Sequence, residues 1–337
     1  MKIIVPPRLR EGDTIGAVSL SSGLSASVPH RLDRGLQFFR ERGFTNREFR
    51  STRSQYRWES APSEQRARDL MDAFAAPEVG AILCTVGGET ANKILEHLDF
   101  DMIRRNPKIF CGYSDPSVIH YAIHAKAGVA TYYGPAILPQ FGEYPEPFAY
   151  TVDHFFRAVC TGAVGKVAPS LEWTDETPNW FFGEDLHRPR MTKRNTGPVW
   201  LKEGRCIGPI LGGCLHSIVN LLGTEYWPDH RDHVLFLEIP EGSDYDAPAP
   251  LSEVDALLGH LRLAGVFAQV KGLIVGRPFK YSADDAEVLK DLLLEHTREF
   301  SYPLFFGADI GHTDPMITIQ LGSTCTLNSD VNWLSFE

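Results

Sequence analysis

Along the first 135 or so residues, short apolar runs alternate with stretches in which apolar positions recur at helical spacing. Asp13-Thr14-Ile15-Gly16-Ala17-Val18-Ser19-Leu20 reads as a strand ending in a Ser/Gly loop. Leu32, Leu36 and Phe39 then mark a helix between Val28 and Arg42, and Gly43 suits the position just past its end. A second helix is predicted after Ser60 and Pro62, through Leu70, Met71 and Phe74. Val79 to Val86 is the next strand, followed by Gly87-Gly88 and a helix to Leu98. Lys108-Ile109-Phe110-Cys111-Gly112 runs into Tyr113-Ser114-Asp115-Pro116 and a helix to Lys126, and Val129 to Tyr133 closes the series. Strands that are apolar throughout and separated by helices imply a parallel sheet covered on both faces. Ligands of such sheets sit beyond the carboxyl ends of the strands, where Gly87-Gly88 and Ser114 both fall.

From Pro139 to Arg205 the periodicity dissolves. Prolines recur, and a polar stretch carries Trp173, Trp180, Phe181 and Phe182. A long segment without regular structure is characteristic of a lid or binding loop, and its aromatics argue against disorder. Pattern resumes near Ile207, with Gly212-Gly213 expected to open a helix through Leu222 and a strand at His233 to Ile239. A helix from Ser252 to Leu263, strands at Val270 to Val275 and Leu304 to Ala308, a turn holding Gly311-His312, and a β-rich Met316 to Leu327 complete the chain. The reading is an α/β protein. It comprises an N-terminal doubly wound parallel-sheet (Rossmann-like) domain over 1–165, an aromatic-rich substrate loop over 166–205, and a smaller strand-rich C-terminal α/β domain over 206–337.

A length of 337 residues agrees with two domains. Lys+Arg 33 against Asp+Glu 43 gives a net charge of −10 with no basic run, which sets aside nucleic acid and anionic membrane as partners. The run from Met1 to Arg8 has no apolar core and no small-residue cleavage site, and no stretch approaches a membrane span in length. The six cysteines are scattered without a CxxC pair, and Cys84 and Cys111 fall in apolar strand-like runs. These features read as a reduced, cytoplasmic, enzyme-sized protein.

The chemistry centres on Ser114. An apolar run that ends in a small residue and turns at once into a helix pushes one hydroxyl outward, with unpaired helix N–H groups behind it. Such a serine needs a base, and the base needs an acid to fix its tautomer. Among twelve histidines, His120 and His124 stand four apart, a spacing open to a metal. Without an HExxH glutamate, one packed helix face explains them better. His230 and His233 sit in a charged turn read as solvent-exposed. His312 lies in Gly307-Ala308-Asp309-Ile310-Gly311-His312-Thr313-Asp314-Pro315, a loop between strands where a rigid scaffold can present a side chain. Glu238 ends four apolar residues, so it must be paired or face a cleft; it either orients the histidine or pairs with an arginine. Cys214, with only His216 nearby, is set aside as a nucleophile, and neither diglycine pair fits a phosphate loop. A binder that kept the crevice without turnover is the alternative from another class.

Gly112-Tyr113-Ser114-Asp115, Leu211-Gly212-Gly213, Leu235-Phe236-Leu237-Glu238 and Gly311-His312 follow one another in the order of the LD-carboxypeptidase family of serine peptidases, which the chain resembles over nearly its whole length. The resemblance implies Ser114 as nucleophile, His312 as general base and Glu238 as its orienting acid. It also implies an oxyanion hole from the Asp115 and Gly88 N–H groups, with Gly87 and Glu89 beside the substrate. Cys214 departs from it, standing where many relatives have Asn. Leu171-Glu172-Trp173-Thr174-Asp175-Glu176 and Pro178-Asn179-Trp180 resemble the microcin C immunity branch of that family more than its murein-trimming members. That likeness implies Trp173, Trp180 and Phe181 as stacking surfaces for the base of a peptidyl- or aminoacyl-nucleotide, unless the tryptophans only pin the loop down. Also implied are a homodimer, a small-molecule peptidyl or aminoacyl substrate, and a reaction with no metal or organic cofactor. Trimming of a murein tetrapeptide is the second expected activity.

Overall fold

The computed structural model describes residues 3–162 and 164–337, so Met1 and Lys2, which begin the run read as having no apolar core, lie outside the described residues. Five parallel strands, Thr14–Val18, Thr45–Glu48, Val79–Cys84, Ile109–Gly112 and Tyr132–Tyr133, stand in the order 2-1-3-4-5. The first and third of them neighbour one another, so the direction of winding reverses between them. At such a switch point the flanking loops diverge and leave a crevice at the carboxyl ends. The central strands are buried because helices cover the sheet, as their unbroken apolar runs require. Ile319–Gln320 adds an antiparallel edge strand, bringing C-terminal residues onto the N-terminal sheet.

The second sheet has eight strands. Its centre is parallel: Arg205–Cys214, Val234–Glu238, Gly272–Gly276 and Leu304–Ala308. Thr324–Asn328, Trp333–Phe336 and Gly165–Lys166 extend one side antiparallel, and Val199–Lys202 closes the other. The helices Leu251–Leu263 and Ala283–His296 bury Leu258, Leu261, Leu289 and Leu293. The α/β class with its two-sheet layout therefore stands as expected. Among the described residues no helix is long and apolar enough to cross a membrane.

Several local expectations are corrected. Gly212 and Gly213 lie inside a strand, and the helix starts only at Leu215. A Cβ at Gly212 would fall 1.9 Å from the Phe236 carbonyl oxygen, so the glycine serves close strand packing. The segment after Pro139 contains a true helix, Ala149–Phe156, whose Phe155 packs edge-on against Phe141 at 5.0 Å. Its prolines precede the first turn, where a missing N–H costs nothing. The run after Gly87-Gly88 is a 3₁₀ helix, Ala91–His97, and the Ser114 helix Ser117–Ala122 continues as one π turn, Ile123–Ala127. His230 is fully buried, stacked on Trp227 at 4.7 Å and paired with Tyr121 Oη at 3.1 Å, because that pocket supplies partners for both ring nitrogens. His120 and His124 share one helical segment, and His120 Nε2 meets the Gly112 carbonyl at 3.0 Å. Cys84 and Cys111 are buried as expected.

Candidate active site

Ser114 leaves the strand Ile109–Gly112 with φ of 66°. A non-glycine residue held in left-handed backbone is strained, and such strain persists only where its surroundings fix it. Here the Asp115 carboxylate does the fixing. Buried beneath the turn, it accepts from Ser21 Oγ at 2.5 Å and from the Ala91 N–H at 2.7 Å, so one side chain ties together the loops after three strands. Burial raises its carboxyl above the usual range, against the pull of those donors. Gly87 presses from the other side: a Cβ there would stand 2.9 Å from Ser114 Oγ.

The Ser22 N–H donates to the Gly87 carbonyl at 3.1 Å. Because the peptide is planar and trans, the Gly88 N–H points the opposite way. Neither that N–H nor the Asp115 N–H has a hydrogen-bond partner among the described residues.

Glu238 ends its strand fully buried. Its Oε2 accepts from His312 Nδ1 at 2.8 Å and its Oε1 accepts from Tyr133 Oη at 2.8 Å, with Cys214 opposite it on the neighbouring strand. Burial opposes the charge, yet the facing imidazole and these donors hold the carboxyl below its ordinary range. Gly311 makes the approach possible: its φ is +101°, and a Cβ there would lie 2.7 Å from Glu238 Oε2. His312 is largely enclosed, its side chain 9% exposed, which by itself favours the neutral ring. Glu238, together with Glu241 whose Oε2 lies 3.4 Å from His312 Nε2, outweighs burial and pushes the imidazole up to about 9. The ring of Tyr113, the residue before Ser114, meets the imidazole edge-on at 4.9 Å.

Ser114, His312, Gly87, Gly88, Trp180 and Phe181 all line one cavity of about 340 Å³. Glu238 stands behind His312, and Asp115 lies under the serine turn. Two residues expected at the substrate are absent from this wall. Trp173 lies between the Lys193 ammonium at 4.8 Å and the Arg277 guanidinium at 4.7 Å, its short strand paired with Lys193–Arg194. Cations lie over its indole, as Arg31 does at Trp180, but Trp173 stands off the cavity wall that Trp180 lines. Glu89 is exposed and off the wall. The sequence reading missed Tyr133, Glu241, Arg190 and Asp314. Tyr133 closed an apolar strand, Arg190 lay in the aromatic-rich loop over 166–205, Asp314 stood in the His312 loop, and Glu241 followed the Glu238 strand. For none of the four was there a local signal.

A strained serine at a sheet's carboxyl edge and a carboxylate-bound histidine on the same cavity are the parts that serine hydrolase chemistry uses. The description of the LD-carboxypeptidase N-terminal domain matches residues 15–134, and that of the C-terminal domain matches 207–327; the chain belongs to this family of serine peptidases and is an enzyme. It is 30% identical over 326 residues to the microcin C7 self-immunity protein MccF of Escherichia coli, covering 96% of this chain and 92% of that one. It is 34% identical over 275 residues to the YocD protein of Bacillus subtilis, covering 81% and 80%. A solved structure of microcin C7 self-immunity protein MccF in complex with aspartyl sulfamoyl adenosine superposes with a TM-score of 0.89 at 29% identity, covering 99% of this chain and 98% of that chain.

Proposed function

We propose that this enzyme hydrolyses the acyl bond of peptidyl- or aminoacyl-nucleotides of the microcin type, with Ser114 as nucleophile, His312 as base and Glu238 as its orienting acid. Ser114 Oγ attacks the acyl carbon while its proton passes to His312 Nε2. The N–H groups of Asp115 and Gly88 receive the oxyanion, each such donor contributing about 3 kcal/mol to the barrier reduction. The C–N bond then breaks, His312 protonates the leaving nitrogen, and an acyl-serine remains. Water, deprotonated by the same imidazole, releases the acid and restores the hydroxyl. Detoxification of an antibiotic nucleotide is the role that follows.

The observation that supports this reading is a single cavity holding Ser114, His312, Trp180 and Phe181 together. A flat base buries well against indole and phenyl faces, whereas a murein tetrapeptide has no such surface to offer. The test is hydrolysis of an aminoacyl-sulfamoyl-adenosine by the wild type and by Ser114→Ala, beside a murein L,D-tetrapeptide. Turnover of the nucleotide that vanishes in the variant, with the fold retained, is expected. Turnover surviving the substitution defeats the serine assignment, and cleavage of the tetrapeptide alone transfers the enzyme to murein trimming.

A further inference from the structure

The charges on the cavity wall are nearly all neutralised within the protein. Arg190 is held between Glu143 at 2.8 Å and Asp314 at 2.7 Å, and Glu176 takes Arg188 at 3.1 Å. Glu241 differs. It stands at the base of a loop closed by pairing with Pro248, its side chain one-third exposed (34%), and no lysine or arginine among the described residues pairs with it. The ion-pair partner it has is His312 Nε2, at 3.4 Å. That nitrogen is the one the serine reaction requires, because Nδ1 is committed to Glu238 at 2.8 Å. Without substrate, then, the imidazole sits between two carboxylates, an arrangement that favours its doubly protonated form below about pH 9. A base in that state accepts nothing.

We propose that Glu241 recognises a protonated amine on the acyl half of the substrate, and that this exchange frees His312 Nε2 for Ser114. The proposal rests on the hydrolase reading above. An ammonium is a compact charge with three donors, well matched to a lone carboxylate. The cavity that Glu241 lines also has Leu24, Val86 and Phe279 in its walls, and a charge pair is stronger among apolar groups than in water. The groups that face His312 are Glu238 and Glu241, Asp314 in its own loop, His216 beyond Cys214, and the Tyr113 ring. An amine drawn to Glu241 neutralises the only one of these carboxylates that is close to Nε2. The imidazole then gives up its second proton more easily, at the moment the acyl carbon arrives. A substrate lacking the amine leaves the base locked, so recognition and activation are one event. The amine has two sources, the α-ammonium of any aminoacyl group and a basic side chain.

The test uses leucyl-, N-acetyl-leucyl-, lysyl- and N-acetyl-lysyl-sulfamoyl-adenosine with the wild type and Glu241→Gln. In the wild type, removal of the recognised amine is expected to lower kcat/KM by roughly 10- to 100-fold, the range of a hydrogen bond to a charged group. In the variant that ratio collapses toward one. Collapse of the leucyl to N-acetyl-leucyl ratio assigns the α-ammonium; collapse of the lysyl to leucyl ratio assigns the side chain. For N-acetyl-leucyl the variant is also expected to be faster than the wild type at neutral pH, with the acid limb of kcat/KM moved to lower pH. A variant that lowers all four rates by one factor, with the limb unmoved, overturns the proposal. If the wild type turns over none of the four, the hydrolase reading fails on its own. Calorimetric binding of the leucyl and lysyl compounds to Ser114→Ala, with and without Glu241→Gln, still decides amine recognition: selective weakening sustains it, equal affinities end it.

Discussion

Tyr133 donates its phenolic hydrogen to Glu238 Oε1 at 2.8 Å, and the phenolic oxygen of Tyr133 accepts the Ser114 N–H at 3.4 Å. One buried hydroxyl therefore joins the carboxylate behind the base to the backbone of the nucleophile, across two sheets. Burial, and next the Glu238 charge, keep this phenol far above its usual titration range, so it stays a donor. Tyr133→Phe keeps the ring and removes the link. A buried carboxylate deprived of one donor costs about 1–3 kcal/mol. Since Tyr133 acts through Glu238 and Ser114, kcat is expected to fall by roughly 5- to 150-fold with KM little changed. A variant with lowered thermal stability and intact kcat shows that the phenol only supports the fold.

The pH dependence follows from the His312 imidazole, which the two carboxylates raise to about 9 against burial. The base works only when neutral, and kcat/KM reports the free enzyme. For a substrate without an amine, kcat/KM is expected to rise tenfold per pH unit from 6 until near 9. The sign for stability is opposite. A folded value above the unfolded one, about 6.5, means that the pair stabilises fully below that value and its contribution is lost as pH rises through about 9. Denaturant midpoints at pH 6 and pH 10, compared between wild type and His312→Gln, measure that loss. A kcat/KM profile flat from pH 6 to 9 contradicts the arrangement.

Trp180 tests base stacking. One face of its indole lies on the buried Arg31 guanidinium, 4.2 Å from the ring centre, while the residue also lines the cavity. Its Nε1 is buried without a protein partner, which leaves a donor for a ligand. Trp180→Ala is expected to raise KM for aminoacyl-nucleotides by roughly 5- to 150-fold, the worth of one stacked base at about 1–3 kcal/mol. An equal rise for a plain peptide means that the tryptophan shapes the cavity without holding a base.

Arg190 holds the floor of that cavity. Its guanidinium is locked between Glu143 and Asp314, both nearly inaccessible. Arg190→Met leaves two buried carboxylates without their cation, a break that costs about 3–5 kcal/mol. Urea unfolding is expected to show it, and adding Glu143→Gln and Asp314→Asn is expected to restore part of it. Unchanged stability in the single variant shows that the pair contributes nothing net.

Ser114, Glu238 and His312 were legible as candidates because Ser114 and Glu238 end apolar runs and His312 stands in a loop between strands; the structure puts Glu238 against His312 and sets Ser114 and His312 on one cavity. The Gly212-Gly213 pair misled because glycine marks turns and close strand packing alike, and only the Phe236 carbonyl distinguishes them. The helix Ala149–Phe156 was hidden by the prolines before it, and its reason to exist is a phenylalanine cluster drawn from distant segments. Trp173 and Trp180 look equally suitable for stacking in the sequence, and only the folded loop puts Trp180 on the cavity wall and Trp173 off it, beside Lys193 and Arg277.

By itself the sequence determined the alternation of strands and helices, the class of the fold, and which residues were chemically able to act, since these depend on local spacing and apolar period. The tertiary structure decided what each of them faces. Tyr133 beneath Glu238, Glu241 against His312 Nε2, and Arg190 between two acids are contacts between residues far apart in the chain. Local pattern records burial and turn, but the charge of a neighbour across the cavity enters only when the sheets and loops have come together.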